Sequence, residues 1–340
     1  MKKIRIGHIG TLHDHSAGKL ACVLKFPEIF EVVGIVPEDD ARWEHMKDRR
    51  EYRGIPRMTE EELFAAGVDA VMAEGFEHEL PFVARRCVER GIHVHVDKPA
   101  GRDLAVFEET LRIAKQKNLT VQMAYMYRYN PAYLDCLRLI EEGKLGEIFQ
   151  VTAIMNVGHP PEKRAWLSQF DGGMMFYLGC HMVDFVYRLL GTPEAVTTFI
   201  KSSGMNGVDA PDNATAILEY KNGASIVQSV ASEIGGFSRR QLTVCGSRGT
   251  YTIHPLERPM HAYFTDADTA KPFTDTKVER EFPPFDDAAN RYDQMMLDFA
   301  AMVRGEKQNP YSLEYELGLQ KLILACCGRT DVDFKSPNVL

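Results

Sequence analysis

Apolar and polar positions along the first part of the chain follow two rhythms. Short runs rich in Val, Ile and Ala, at 2–10, 30–36, 69–73, 92–96 and 120–124, read as strands. Longer stretches with apolar positions near every 3.6 residues, at 19–25, 59–66, 80–90, 104–117 and 131–142, read as helices. The second of these opens on Thr59 with Glu62 three residues on, a capping box, and the last is closed by Gly143. Strands separated by helices pair in parallel through right-handed crossovers, so this part predicts a doubly wound parallel sheet.

From Gly146 the rhythm changes. Strand-like runs at 147–157, 196–201, 214–220, 224–231, 239–245 and 249–254 succeed one another across turn signals such as Lys221-Asn222-Gly223. They predict a mainly antiparallel sheet, interrupted by one helix over 179–190. Residues 255–285, rich in Pro, Asp and Thr, read as a loop excursion, and 287–304 and 313–327 as closing helices. The fold class is α/β plus α+β. Its expected domains are 1–124 and 125–340, with the C-terminal helices packing back on the first domain. A chain of 340 residues is too long for one ordinary core, which agrees with two.

Composition narrows the function. Hydrophobic content of 45% with 26% charged residues is that of a globular chain, and a net charge of -8 without a basic cluster argues against a nucleic-acid or anionic-membrane partner. There is no apolar run of membrane-spanning length, and Met1-Lys2-Lys3 leads straight into a strand, so the expected location is cytoplasmic. Seven cysteines without CxxC spacing, mostly inside apolar stretches, read as reduced core residues.

Two stretches carry candidate chemistry. The strand at 92–96 stops abruptly at Asp97-Lys98-Pro99, and open α/β sheets bind ligands at the C-terminal ends of their strands. Pro99 takes the chain out of the sheet just past Lys98, putting the amine at the lip of a crevice. Most lysines are simply solvated charges, so its surroundings decide. The second stretch has Gly172-Gly173, which lets backbone approach closely, followed by Tyr177, His181 and Asp184 at spacings of four and three, one side of a helix. A histidine in such a Met- and Phe-rich run is ordinarily a satisfied core residue; the double glycine beside a polar stripe argues otherwise. Glu38, just after the second strand, is a candidate for a ribose hydroxyl, or a solvated loop acid. His8, His13, Asp14, His15, His93 and His95 gather near strand ends, and imidazole with carboxylate suits zinc. Their spacing has no helix or finger signature, and no metal site is expected.

With these parts located, the chain resembles the Gfo/Idh/MocA family of NAD(P)-dependent oxidoreductases over nearly its whole length. Asp97-Lys98-Pro99 stands where that family has Glu-Lys-Pro. Tyr127-Arg128-Tyr129-Asn130-Pro131 matches its Tyr-Arg-Phe-Asn-Pro, and Gly172-Gly173 through Gly179, His181 and Asp184 match its GG…D.G.H..D signature. The resemblance implies a Rossmann domain, then a sheet domain that supplies substrate contacts and often an oligomer interface. It also implies NAD or NADP as cofactor, a sugar, cyclitol or other polyol as substrate, and a homo-oligomer, dimer or tetramer. Lys98 and His181 become the catalytic residues, the amine stabilising a developing alkoxide and the imidazole exchanging the proton. Tyr127, Trp166, Tyr177 and Asp184 are expected on the substrate. The cofactor falls to Gly10, Thr11, Leu12, His13 and Glu38 from the first two strands, and to Gly75, His78, Asp97, Lys98 and Arg128.

Three departures from the family pattern stand out. The phosphate loop should read G-x-G-x-x-G or A, yet the positions are Gly10, Leu12 and His15. The usual acid ending the second strand is Pro37, leaving Glu38, so NAD and NADP are both open. Tyr177 replaces the Asp of the family's Lys-Asp-His set, and Gly75-Phe76-Glu77-His78 stands where the family has Thr-Pro-Asn-His. Two rival readings follow: a redox-inactive relative that binds a ligand or regulates, and a metal-dependent hydrolase or lyase.

Overall fold

The computed structural model describes residues 2–235, 239–257, 259–283, 285 and 290–340. The chain divides into two compact units. Unit 1 comprises Met1–Met126, Asp287–Leu317 and Asn338–Leu340; unit 2 comprises Tyr127–Asp286 and Gly318–Pro337.

Unit 1 alternates strand and helix: β1 (Ile4–Ile9), α1 (Ser16–Leu24), β2 (Phe30–Val36), α2 (Asp40–Met46), α3 (Glu60–Ala65), β3 (Ala70–Ala73), α4 (Leu80–Glu89), β4 (His93–Val96), α5 (Leu104–Gln116) and β5 (Val121–Met123). All five strands are parallel, in the order β2-β1-β3-β4-β5. β3 and β4 are almost wholly buried, as strands covered on both faces must be. The strand order reverses between β1 and β3, so their C-terminal ends frame the crevice where such sheets take ligands. The capping box forms as expected: Thr59 Oγ1 accepts from Glu62 N while the Glu62 carboxylate accepts from Thr59 N. Helix α2, whose Asp39 caps Arg42 N, lies in a stretch too short and polar for periodicity to reveal.

Unit 2 holds α6 (Pro131–Glu141), β6 (Ile148–Met155), α7 (Pro161–Trp166), a π-helical turn over Met175–Gly179, α8 (Cys180–Leu190), β7 (Ala195–Lys201), β8 (Asn213–Tyr220), β9 (Gly223–Val230), β10 (Arg240–Gly246), β11 (Gly249–Ile253), β12 (Ala262–Asp266) and β13 (Val278–Arg280). They form one eight-stranded sheet, β13-β12-β11-β10-β6-β9-β8-β7, antiparallel except for β6 against β9. One face, with Val151, Ala153, Ala216, Leu218, Val227, Leu242 and Val244, is buried, and α8 packs on β6 and β9. The opposite face carries Thr152, Ile226, Ile217 and Phe199, with Ile226 and Phe199 exposed.

The loop expected over 255–285 is a correction: it contains β12 and β13, which extend the sheet through Phe264↔Tyr251 and Val278↔Phe264 pairs. Strands of five and three residues among Pro and Asp are too short to show alternation. The closing helices are α9 (Asp293–Val303) and α10 (Leu313–Cys326); residues 287–289 of the expected helix lie outside the described residues. All seven cysteines are free thiols, six of them buried. No helix among the described residues is long and apolar enough to cross a membrane.

Candidate active site

In unit 1 the site grows from the ends of β1, β3 and β4. Gly10 leaves β1 at φ +87°, and a Cβ built on it would lie 2.3 Å from the Cα and N of Gly75, just past β3. Both conditions demand glycine there. The loop is tied down by Gly10 N donating to Val36 O (2.8 Å) and His13 N to Glu74 O (3.0 Å). Two successive amides, Thr11 N and Leu12 N, then converge on one acceptor. That acceptor is Glu38: Oε1 takes both (2.7 and 3.0 Å) and Oε2 takes the Thr11 hydroxyl (2.8 Å). Arg42 closes the arrangement, donating to Thr11 Oγ1 (2.9 Å) and Thr11 O (2.5 Å). The acid expected on a ribose is thus seated on the phosphate loop itself, and Leu12 points outward, 46% exposed.

Beneath the loop lies a buried charge network. Asp97, just past β4, gathers its own neighbour's amide, Lys98 N (2.8 Å), with His15 Nδ1 (3.2 Å), His13 Nδ1 (2.8 Å) and Lys19 Nζ (2.5 Å). Lys19, from α1, also donates to Glu74 Oε1 (2.9 Å), and His13 Nε2 donates to the Lys98 carbonyl (3.1 Å). Burial works to raise the Asp97 carboxyl, but His13, Lys19 and His15 around it hold it well below the usual carboxylate range. Burial pushes Glu74 well up. His8 and His95, buried nearby, are pushed down to about 3 by burial and then by the Lys19 charge. Lys98 itself is buried, with its backbone held on both sides of the peptide by Asp97 and His13. His13, His15 and Asp97 bring ligand-type atoms within 4.8 Å of one another, the one such group among the described residues. The Lys19 ammonium already sits on its carboxylate. His78, expected on the cofactor, packs edge-on against Phe76 (5.4 Å).

In unit 2 the Tyr-Arg-Tyr-Asn-Pro stretch, followed by α6, builds scaffold. Asn130 caps α6, its Oδ1 accepting from Ala132 N and Tyr133 N (3.0 and 3.1 Å), and Pro131 starts the helix. Arg128 makes a bidentate pair with Asp184 (2.9 and 2.9 Å), both buried. These two were expected on cofactor and substrate respectively; here they bind each other, because a buried guanidinium needs a carboxylate of matching geometry. Tyr127 donates to Glu257 Oε1 (2.7 Å), which also takes Arg240 Nη1 (2.6 Å). The Tyr127 ring, so fixed, meets the buried His181 ring edge to face at 4.9 Å.

Gly172 and Gly173 do bring backbones together: a Cβ on Gly173 would sit 2.2 Å from Pro211 O. The helix that follows differs from expectation. His181 and Asp184 lie on the first turns of α8, but Tyr177 lies in the preceding π turn, whose wider winding breaks the four-residue register with His181. Tyr177 joins an aromatic wall instead, parallel to Phe170 (6.1 Å) and edge-on to Trp166 (5.1 Å), with Lys163 Nζ 4.6 Å from its ring centre and 3.7 Å from that of Trp166.

Lys19, Glu74, Arg42, Glu257 and Arg240 were not singled out from sequence. Glu74 has a signal: it is an acid directly after a short strand, as Asp97 is. The others needed long-range geometry.

Residues 133–252 match the GFO/IDH/MocA C-terminal domain. The chain is 31% identical over 176 residues, 52% of its length and 50% of the relative's, to the uncharacterized oxidoreductase YhhX of Escherichia coli. Against inositol 2-dehydrogenase 2 of Saccharopolyspora erythraea the figures are 28% over 199 residues, 56% of each. The chain thus spans about half the length of the relatives it matches. The fold is that of the WlbA dehydrogenase of Bordetella pertussis, solved with NADH and UDP-GlcNAcA, at a TM-score of 0.77 and 18% identity, covering 97% of this chain and 96% of that one. The chain shares with that structure a doubly wound unit and a mixed sheet unit. Residues 133–252 thus carry the C-terminal domain of the Gfo/Idh/MocA family, and the relatives matched over about half of the chain are oxidoreductases by name.

Proposed function

We propose that the protein is an NAD(P)-dependent dehydrogenase or reductase acting on a secondary alcohol of a sugar, cyclitol or related polyol. The observation that carries this reading is the pair of amides at Thr11 and Leu12, held beside the Gly10–Gly75 contact and already converged on an anionic group. Two adjacent N–H groups at a strand-to-helix turn are chemistry for a diphosphate. The names of relatives such as inositol 2-dehydrogenase 2 support the substrate class.

In this reading Gly10, Thr11, Leu12 and Gly75 hold the diphosphate, and the bound nicotinamide supplies hydride transfer. Lys98 donates to the substrate oxygen and stabilises charge developing there. His181 accepts the hydroxyl proton on oxidation and returns it on reduction. The network under Lys98 supplies its cation from Lys19, which supports a mechanism without a metal. Titration with NADH and NADPH, followed by a polyol panel monitored at the reduced-nicotinamide absorbance band, tests the reading. Binding of one dinucleotide with substrate-dependent absorbance change is the expected result; no binding of either rejects it.

A second reading, a redox-inactive ligand-binding relative, draws on Tyr177, which is in an aromatic wall where the family has a carboxylate. Binding without any absorbance change across the panel favours it. The partly apolar, uncovered face of the eight-stranded sheet, with Ile226 and Phe199 exposed, supports self-association. Sedimentation at micromolar concentration should show a dimer or tetramer; a monomer would remove this part of the proposal.

A further inference from the structure

The Glu38 carboxylate makes the three hydrogen bonds that a phosphate oxygen would make at this turn: two to successive main-chain amides and one to the Thr11 hydroxyl. Charge-assisted bonds of this kind are the strong ones, and an anion on a pair of amides is electrostatically matched. Arg42, donating to Thr11 Oγ1 and Thr11 O, holds the loop in the conformation that presents both amides. A diphosphate cannot share these donors with a carboxylate, because the two anions would meet within contact distance.

We infer that Glu38 is an internal competitor for the phosphate cradle and thereby a specificity-determining residue, admitting a ligand only when that ligand repays the displaced carboxylate elsewhere. This rests on the dinucleotide reading above and adds to it. A ligand whose ribose offers free hydroxyls gives Glu38 new donors once it has left the loop. Inorganic pyrophosphate offers none, and a phosphate on the ribose meets it with like charge. The cradle therefore discriminates against small phosphate anions that carry no hydroxyl donors and against ligands phosphorylated on the ribose diol.

The arithmetic is that of a site competent only part of the time: apparent affinity falls by the fraction of molecules in which the cradle is open. With the cradle closed in nine molecules of ten or more, removing the carboxylate tightens pyrophosphate binding by about tenfold or more. The gain for ADP-ribose is smaller, since the variant also loses the acceptor for the ribose diol.

The test measures pyrophosphate and ADP-ribose affinity by calorimetry for the wild-type chain, Glu38→Gln and Glu38→Ala, with thermal melts confirming that each is folded. Glu38→Gln keeps an acceptor but not the charge and guards against a misfolded alanine variant. The expected result is pyrophosphate tightened at least about tenfold in one folded variant, with a smaller change for ADP-ribose. Equal pyrophosphate affinity in all three proteins overturns the inference. Failure of every polyol to turn over would strike the proposed activity and leave this comparison untouched, so the two can fail separately.

Discussion

His181→Asn and Lys98→Met should each lower kcat by roughly 10²–10⁴-fold while leaving dinucleotide affinity within a few-fold of wild type. The expected split follows from where the groups act. Neither side chain belongs to the Thr11–Leu12 cradle, so the binding step keeps its anion contacts. What is lost is charge stabilisation at the substrate oxygen in one case and proton exchange with it in the other. Asn and Met are chosen because both positions are buried, and truncation to Ala would add a cavity to the chemical defect. Stopped-flow measurement of the hydride step, with melting temperatures alongside, separates chemistry from folding. Turnover within tenfold of wild type in either folded variant removes that residue from the proton path.

Unit 1 should lose stability steeply between pH 6.5 and 4.5. His8 and His95 titrate near 6.5 in an unfolded chain but at about 3 in the fold, and His15 is lowered well below 6.5 by burial. Each is held neutral in the folded state and takes a proton on unfolding. Their contribution is therefore complete above pH 6.5 and lost as pH falls towards the folded value. Glu74 works against one of the three, since burial raises its carboxyl and the folded state keeps that proton where the unfolded state releases it. The histidines outnumber the opposing carboxyl, so the folded state binds fewer protons than the unfolded one across the window, and stability falls by on the order of a few kcal/mol. Asp97, held low, adds its own loss only below its ordinary range, so within the window the histidines and Glu74 set the slope. Chemical denaturation at half-unit pH steps measures the slope, and His95→Gln should make it shallower. Stability that is flat from pH 6.5 to 4.5 would refute this account.

The sheet of unit 1 was readable because each strand is short, apolar and bounded by a helix of clear period, and because Asp97-Lys98-Pro99 ends β4 in chemistry. The mixed sheet was readable as successive β-runs with turn signals, except at β12 and β13, where the pairing depends on neighbours rather than on internal pattern. The site was legible only where a residue's meaning is local. Lys19 reads as an ordinary helix lysine, and nothing near it in sequence hints that Glu74 and Asp97, 55 and 78 residues away, surround it. Arg128 and Asp184 are 56 residues apart, so their pairing could not be anticipated. The π turn escapes any test for a 3.6-residue period, which is why Tyr177 was placed on the same helical side as His181. Glu38 is legible as a candidate acid, but its position after β2 points to a sugar hydroxyl, whereas its nearest donors are the chain's own amides.

The ammonium of Lys19, lodged between carboxylates that follow two different strands, makes the first helix the keeper of the position-98 main chain. Anyone grafting a new substrate preference onto this scaffold can exchange surface segments of the mixed sheet with that alignment intact. Importing a first helix from a relative that lacks this lysine would take the nearest cation from the buried Asp97 carboxylate, and the peptide that carboxylate anchors would be re-aimed before any substrate-facing residue had been touched.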